Sequence, residues 1–234
     1  MKTRLPRILI SFLTLLFVFV SPLFSSRADE FEYMKKEIEK NHKNFFNTVS
    51  KEECEKEYRR LSVSIDDISY TDYYFTLSSF LALSNDSHTS LEASDIYSYF
   101  LYFPLQLNYV GEKVYVVSGS KEYKDYMGKE VSYINGVSIE DIEEKASVVV
   151  PHDNSVYLRL WLNNQLNNTS FLSFINVADN DRAPVTLSFF DGDSVSLSPV
   201  FSSEINGEDL VSAFSSYSPY IYQGYYRAIE VTTL

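Results

Sequence analysis

The chain has 234 residues, with 32 Asp plus Glu against 20 Lys plus Arg, and this net charge of −12 repels nucleic acid and anionic membrane surfaces. A single cysteine, Cys54, excludes an intramolecular disulfide, and three histidines without a His-Glu-x-x-His spacing provide no zinc motif. Nineteen Tyr and seventeen Phe beside only seven Gly point to aromatic strands and packed helices rather than disorder.

Lys2, Arg4 and Arg7 precede an apolar run over residues 8–20, broken by Ser21 and Pro22, and Ser26-Arg27-Ala28 places small residues where a signal peptidase reads them. The pattern predicts a signal peptide over residues 1–28, cleaved after Ala28. The run falls short of the roughly 20 residues a spanning helix needs, so no stable membrane insertion is expected after cleavage. No lipid-bearing cysteine follows it. The expected localisation is therefore exported: periplasmic, cell-surface or extracellular. Removing residues 1–28 takes away four basic residues and no acidic one, which moves the net charge from −12 to −16. The remainder suffices for one or two packed domains.

From residue 29 the pattern is helical. Phe31, Met34, Ile38 and Phe45 predict a first helix. Ser50 and Glu53 form a capping box ahead of Cys54, Tyr58, Leu61 and Ile65, whose spacing draws one apolar stripe, so Cys54 reads as a small buried side chain. Thr71 is placed to cap a third helix carrying Tyr74, Leu77 and Leu81 and ending near Asn85.

The register changes near Phe103. Residues 104–109 and 113–117 flank Val110-Gly111-Glu112 as a β-hairpin, and a short helical stretch over 121–127 leads to a strand at 131–134. Asn135-Gly136 predicts a tight turn, and Ser138 with Asp141 caps a helix running to about Val148. After Pro151 one helix is expected through Tyr157 and Trp161 and on to Phe174. A hairpin over 184–190 and 194–197 then turns at Asp191-Gly192-Asp193. Ser118-Gly119-Ser120 lacks the Gly-x-Ser-x-Gly form of a nucleophile elbow and reads as a loop. Asp153 beside His152 reads as a cap or turn residue, and Asn168-Thr169-Ser170 formally matches a glycosylation acceptor. The expected class is α+β: a helical subdomain over 29–100, a β-rich domain over 101–150, and a mixed helix and hairpin segment over 151–234.

Two of these segments carry a family resemblance. Asp86-Ser87-His88-Thr89, following an apolar helix, resembles the Asp-x-His-Thr motif of the tail-specific (C-terminal-processing) and tricorn-type serine peptidases. The run from Gly128 through Asn135-Gly136 to Ser138 is similar to the strand and Asn-Gly turn of the PDZ-like domain those enzymes carry, which would make 101–150 PDZ-like. Asn41-His42-Lys43-Asn44 and Pro151-His152-Asp153-Asn154 resemble further, less specific landmarks, and the resemblance covers about residues 30–155. Asn85 departs from it, standing where many relatives have a small residue such as Gly. The family's nucleophilic Ser lies on a Gly-rich turn of a downstream α/β core; the seven glycines here are isolated singles, and Leu234 falls about where that core should begin.

The resemblance implies that His88 is the general base that takes the proton from the Ser hydroxyl, since Ser at its free pKa is a poor nucleophile. A branch of the family using a Ser-Lys dyad would leave His88 structural. His42 and His152 carry no comparable case. No cofactor or metal is implied. The partners implied are polypeptide chain ends or extended peptides, held by a PDZ-like strand edge. The expectation is thus an exported protein of the serine peptidase family that binds peptides without hydrolysing them in this chain. The alternative is an exported PDZ-like binding protein that never had catalysis; an aromatic-rich structural surface protein is a third reading.

Overall fold

In the computed structural model the described residues are 26–91, 94–205 and 210–213. The apolar leader and the Tyr-rich stretch after residue 213 lie outside them. Helix α1 (Arg27–Asn41) begins on a complete capping box, in which Ser26 accepts from the Asp29 N–H and the Asp29 carboxylate accepts from the Ser26 N–H. It ends before Phe45, which lies instead in a short 3-10 turn, Phe45–Asn47, and is still fully buried. Helix α2 (Lys51–Ser62) starts on the Ser50/Glu53 box read from the sequence, with Glu53 N–H donating to Ser50 Oγ at 3.1 Å. Helix α3 (Tyr70–Ala82) is capped by Ser69 rather than Thr71, because Ser69 Oγ accepts from Asp72 N–H while Thr71 turns inward and is buried.

The rest of the chain builds one antiparallel sheet with helices against it. Strands β1 (Leu101–Tyr102), β2 (Leu105–Val110) and β3 (Lys113–Ser120) come first, with β2 and β3 joined at Gly111-Glu112, where Gly111 has φ +68°. A kinked 3-10 stretch, Lys121–Tyr126, leads to β4 (Glu130–Ile134). Asn135 and Gly136 then take φ of 50° and 77°, the pair of positive values that a type I′ turn requires, before β5 (Val137–Ser138). Ser138 caps α4 (Ile139–Ser147), accepting from Asp141 N–H at 3.1 Å. The single helix expected after Pro151 is two: α5 (Ser155–Leu162), capped by Asn154 rather than Asp153, and α6 (Thr169–Phe174), capped by Asn168. The break falls at the Asn-rich turn between them, whose amides serve other partners. Strands β6 (Val185–Phe189), β7 (Ser194–Leu197), β8 (Val200–Phe201) and β9 (Leu210–Ser212) complete the fold.

The main sheet runs β2-β3-β4-β6-β7, with β9 pairing β3 and β5 pairing β4; β1 and β8 form a separate two-stranded pair. The α+β class is therefore the observed one. Strand β6 sits directly beside β4, with Ile134 opposite Leu187, so a boundary at residue 150 cuts through a single sheet. The Ser118-Gly119-Ser120 segment, expected as a loop, is the end of β3. A Cβ on Gly119 would stand 2.3 Å from Leu105 Cδ2 and 2.7 Å from the Pro104 carbonyl oxygen, so the strands approach here as only glycine permits.

Two cores result. A small one joins Phe31, Phe45, Cys54, Ile65, Tyr73 and Phe80; a larger one extends from Phe75 through the sheet to Leu197. Helix α3 is their common wall, sending Tyr73 and Phe80 to the first and Phe75 to the second. That double duty explains why α3 is buried around more of its circumference than one stripe would be.

Candidate functional site

Helix α3 ends where Asn85 takes a left-handed φ of 47°, a conformation that favours glycine and that asparagine tolerates. The reversal turns Asp86 and Thr89 toward the end of α1. Asp86 accepts two hydrogen bonds within its own loop and faces the imidazole at the end of α1. Oδ1 takes the His88 N–H at 2.9 Å, Oδ2 takes the Thr89 hydroxyl at 3.1 Å, and His42 Nε2 stands 3.4 Å from Oδ2. The His88 N–H is the largest reason that the Asp86 carboxyl titrates below the usual aspartate range, followed by burial opposing it and the Thr89 hydroxyl helping it.

His42, at the C-cap of α1, is the imidazole that touches the motif. Its Nε2 lies 2.8 Å from Thr89 Oγ1, while Nδ1 accepts from the Asn44 N–H at 3.3 Å. An Nδ1 that accepts leaves the proton of the neutral ring on Nε2, so Nε2 donates to Thr89, and Thr89 in turn donates to Asp86. His42 therefore cannot take a proton from Thr89; the chain of bonds is a tie between α1 and the loop. The ring also packs edge-on against Phe45. His88 is exposed, with only its backbone N–H in a hydrogen bond among those described. The motif thus holds one imidazole in and presents the other to solvent.

Beside this loop a cleft of about 520 Å³ opens over the larger core, to which Val150, Tyr74 and Trp161 belong. Thr89, Ser90 and Leu91 form one rim, α3 contributes Tyr74 and Ser78, and Tyr157 and Trp161 of α5 face them. Among the described residues no charged side chain lines it. Ser78 Oγ donates to the Val149 carbonyl at 2.7 Å and is buried, so its hydroxyl is engaged in holding α3 to the segment after α4. Tyr74 shares a hydrogen bond with Tyr97, and burial pushes its phenol far above the ordinary tyrosine value. The sequence places Tyr74, Tyr157 and Trp161 on helices without marking them as a site, although Tyr70, Tyr74 and Ser78 recur at helical spacing as one face.

The other candidates resolve differently. Cys54 is buried against α1, and desolvation raises its thiol to about 11, which keeps it protonated and inert. His152 Nδ1 sits 2.7 Å from the Val150 carbonyl, a local turn contact. Asn168 and Thr169 are wholly buried, with Asn168 capping α6 and Thr169 Oγ1 donating to the Leu101 and Asp181 carbonyls, so the formal glycosylation acceptor is closed to a transferase. Among the described residues no three His, Cys, Asp or Glu converge as a metal site, and no helix is long and apolar enough to cross a membrane.

No protein-family model matches the chain, and none of the curated proteins does.

Proposed function

We propose that this protein is an exported relative of the tail-specific and tricorn-type serine peptidases, and that its residues bind an extended peptide or chain end without cleaving it. The observation that carries this reading is the place of the Asp86-Ser87-His88-Thr89 loop, whose Thr89 rims the aromatic cleft. Two of the hydroxyls that line the cleft are engaged in a way that favours binding over hydrolysis. Thr89 donates to Asp86, and Ser78 donates to a carbonyl; neither has a ring nitrogen placed to accept its proton. In a protein whose core set a serine opposite this loop, exposed His88 would be its general base.

The test uses the secreted chain. Extended peptides should bind it, and a fluorophosphonate probe for activated serines should leave it unlabelled. Probe labelling would overturn the non-hydrolytic reading, and failure of every peptide to bind would overturn the peptide reading. In a version carrying a catalytic core, His88→Ala should lower turnover by about 10⁴-fold or more while binding persists. Retained turnover would make His88 structural.

A further inference from the structure

Resting on the reading that this chain binds peptides, we infer that the peptide lies in the aromatic cleft as a polyproline II segment, a neutral proline-rich stretch with basic flanks, and does not add to the sheet. The sheet itself argues against strand addition. At one end, the outer edge of β2 is occupied by the turn after α5. The Tyr109 N–H donates to Asn163 Oδ1 at 2.6 Å, the Gln106 amide donates to the Asn163 carbonyl, and the Phe103 N–H donates to the Asn167 carbonyl at 3.0 Å. At the other end, β7 is only four residues long. Its Ser194 N–H is taken by the Asp193 carboxylate at 2.9 Å, and Pro199 follows without an N–H to give. A peptide strand would have to displace these bonds to pair with β2 or β7, the two ends of the main sheet.

A polyproline II segment needs no strand edge. It has three residues per turn and no internal hydrogen bonds, so its carbonyls are free to accept and its rings slot between aromatic ridges. The cleft supplies both. Tyr74 and Tyr97 are joined through their hydroxyls on one wall, and Tyr157 and Trp161 form the other, with the indole braced edge-on by Phe171 at 5.1 Å. Beyond the cleft, Tyr70 lies one turn before Tyr74 on α3 and packs against Tyr99 at 5.2 Å; both are about half exposed and continue the ridge. Among the described residues that line the slot none is charged, while the chain left after residues 1–28 are removed has a net charge of −16. That combination suits a neutral proline-rich core between lysines or arginines, steered by the acidic surface and seated by the rings.

Trp161 is the only tryptophan in the chain, so its fluorescence reads this cleft alone. Two labelled ten-residue peptides with a lysine at each end would be titrated into the secreted protein, one built on two Pro-x-x-Pro units and the other on alternating Val and Thr. Anisotropy gives binding, and Trp161 emission gives location. The proline-rich peptide should bind and shift the emission. Tyr97→Ala and Tyr157→Ala should each weaken it about ten-fold or more with an unchanged melting temperature, and Tyr133→Ala, on β4 away from the cleft, should not. Binding of the Val/Thr peptide with Trp161 unmoved would leave the peptide reading standing and overturn this mode. Proline-rich binding indifferent to Tyr97, Tyr157 and Trp161 emission would overturn the location. Binding of neither peptide would overturn both readings.

Discussion

Nε2 of His42 stands 2.8 Å from Oγ1 of Thr89, joining the end of α1 to a loop 47 residues further along the chain. The bond links the small helical core to the rim of the cleft, so the position of His88 depends on a helix that is remote in sequence. Thr89→Val keeps the shape of the side chain and removes its hydroxyl. It leaves the His42 Nε2–H and one Asp86 oxygen without that partner, and should cost about 1 kcal/mol. Denaturant unfolding should show a lower midpoint at an unchanged slope. An unchanged midpoint would mean that the tie holds nothing.

Asp86 makes the same loop sensitive to acid. Its folded pKa lies below its unfolded value, so the stability it contributes is present above the ordinary aspartate range and is lost as pH falls through the lowered value. The gap in melting temperature between the wild type and Asp86→Asn should therefore be widest near neutrality and shrink as the pH drops below the usual aspartate range. A gap independent of pH would assign the stabilisation to shape rather than charge.

Two glycines should resist substitution for different reasons. Gly136 has open space around its α-carbon but a φ of +77°, so Gly136→Val should cost about 1 kcal/mol or more through backbone strain. Gly119 lies outside the left-handed region but faces the Pro104 carbonyl oxygen, and Gly119→Ala should cost about 1–3 kcal/mol through overpacking. Thermal melts of the two variants check both; a stable Gly119→Ala would show that β2 and β3 part easily.

The expected cleavage after Ala28 falls within the first turn of α1. It would remove Ser26, whose hydroxyl caps the Asp29 N–H, and Arg27, whose guanidinium bonds the Ile68 carbonyl and lies over the Tyr73 ring at 5.3 Å. A chain beginning at Ser26 should be more stable than one beginning at Asp29 by about 1 kcal/mol or more. N-terminal sequencing of secreted material identifies the natural start, and calorimetry of the two chains measures the difference.

Asn163→Ala should open the outer edge of β2. The Tyr109 N–H loses its acceptor, and its amide should exchange with solvent faster than in the wild type, with a loss of about 1–3 kcal/mol. Unaltered exchange at Tyr109 would show that another group seals the edge.

What could be read from the amino-acid order was what neighbouring residues settle among themselves. Ser50 with Glu53, Ser138 with Asp141, and Asn135-Gly136 are complete within a few residues, because a cap or a tight turn is closed by bonds that span three or four positions. The Asp-x-His-Thr motif was visible for the same reason. The order did not disclose that His42 holds this motif while His88 faces solvent, because the choice rests on how α1 packs against the end of α3. Nor did it disclose the break in the helix after Leu162. The residues from Asn163 to Asn168 have no local reason to stop a helix that outweighs the apolar pattern around them, and the break is stabilised by β2, whose N–H groups need their oxygens. The aromatic cleft is likewise tertiary: Tyr74, Tyr97, Tyr157 and Trp161 come from three segments that meet only when the larger core closes on α3. Local hydrogen bonds set the elements, and burial of the long-range cores set which side chains those elements share.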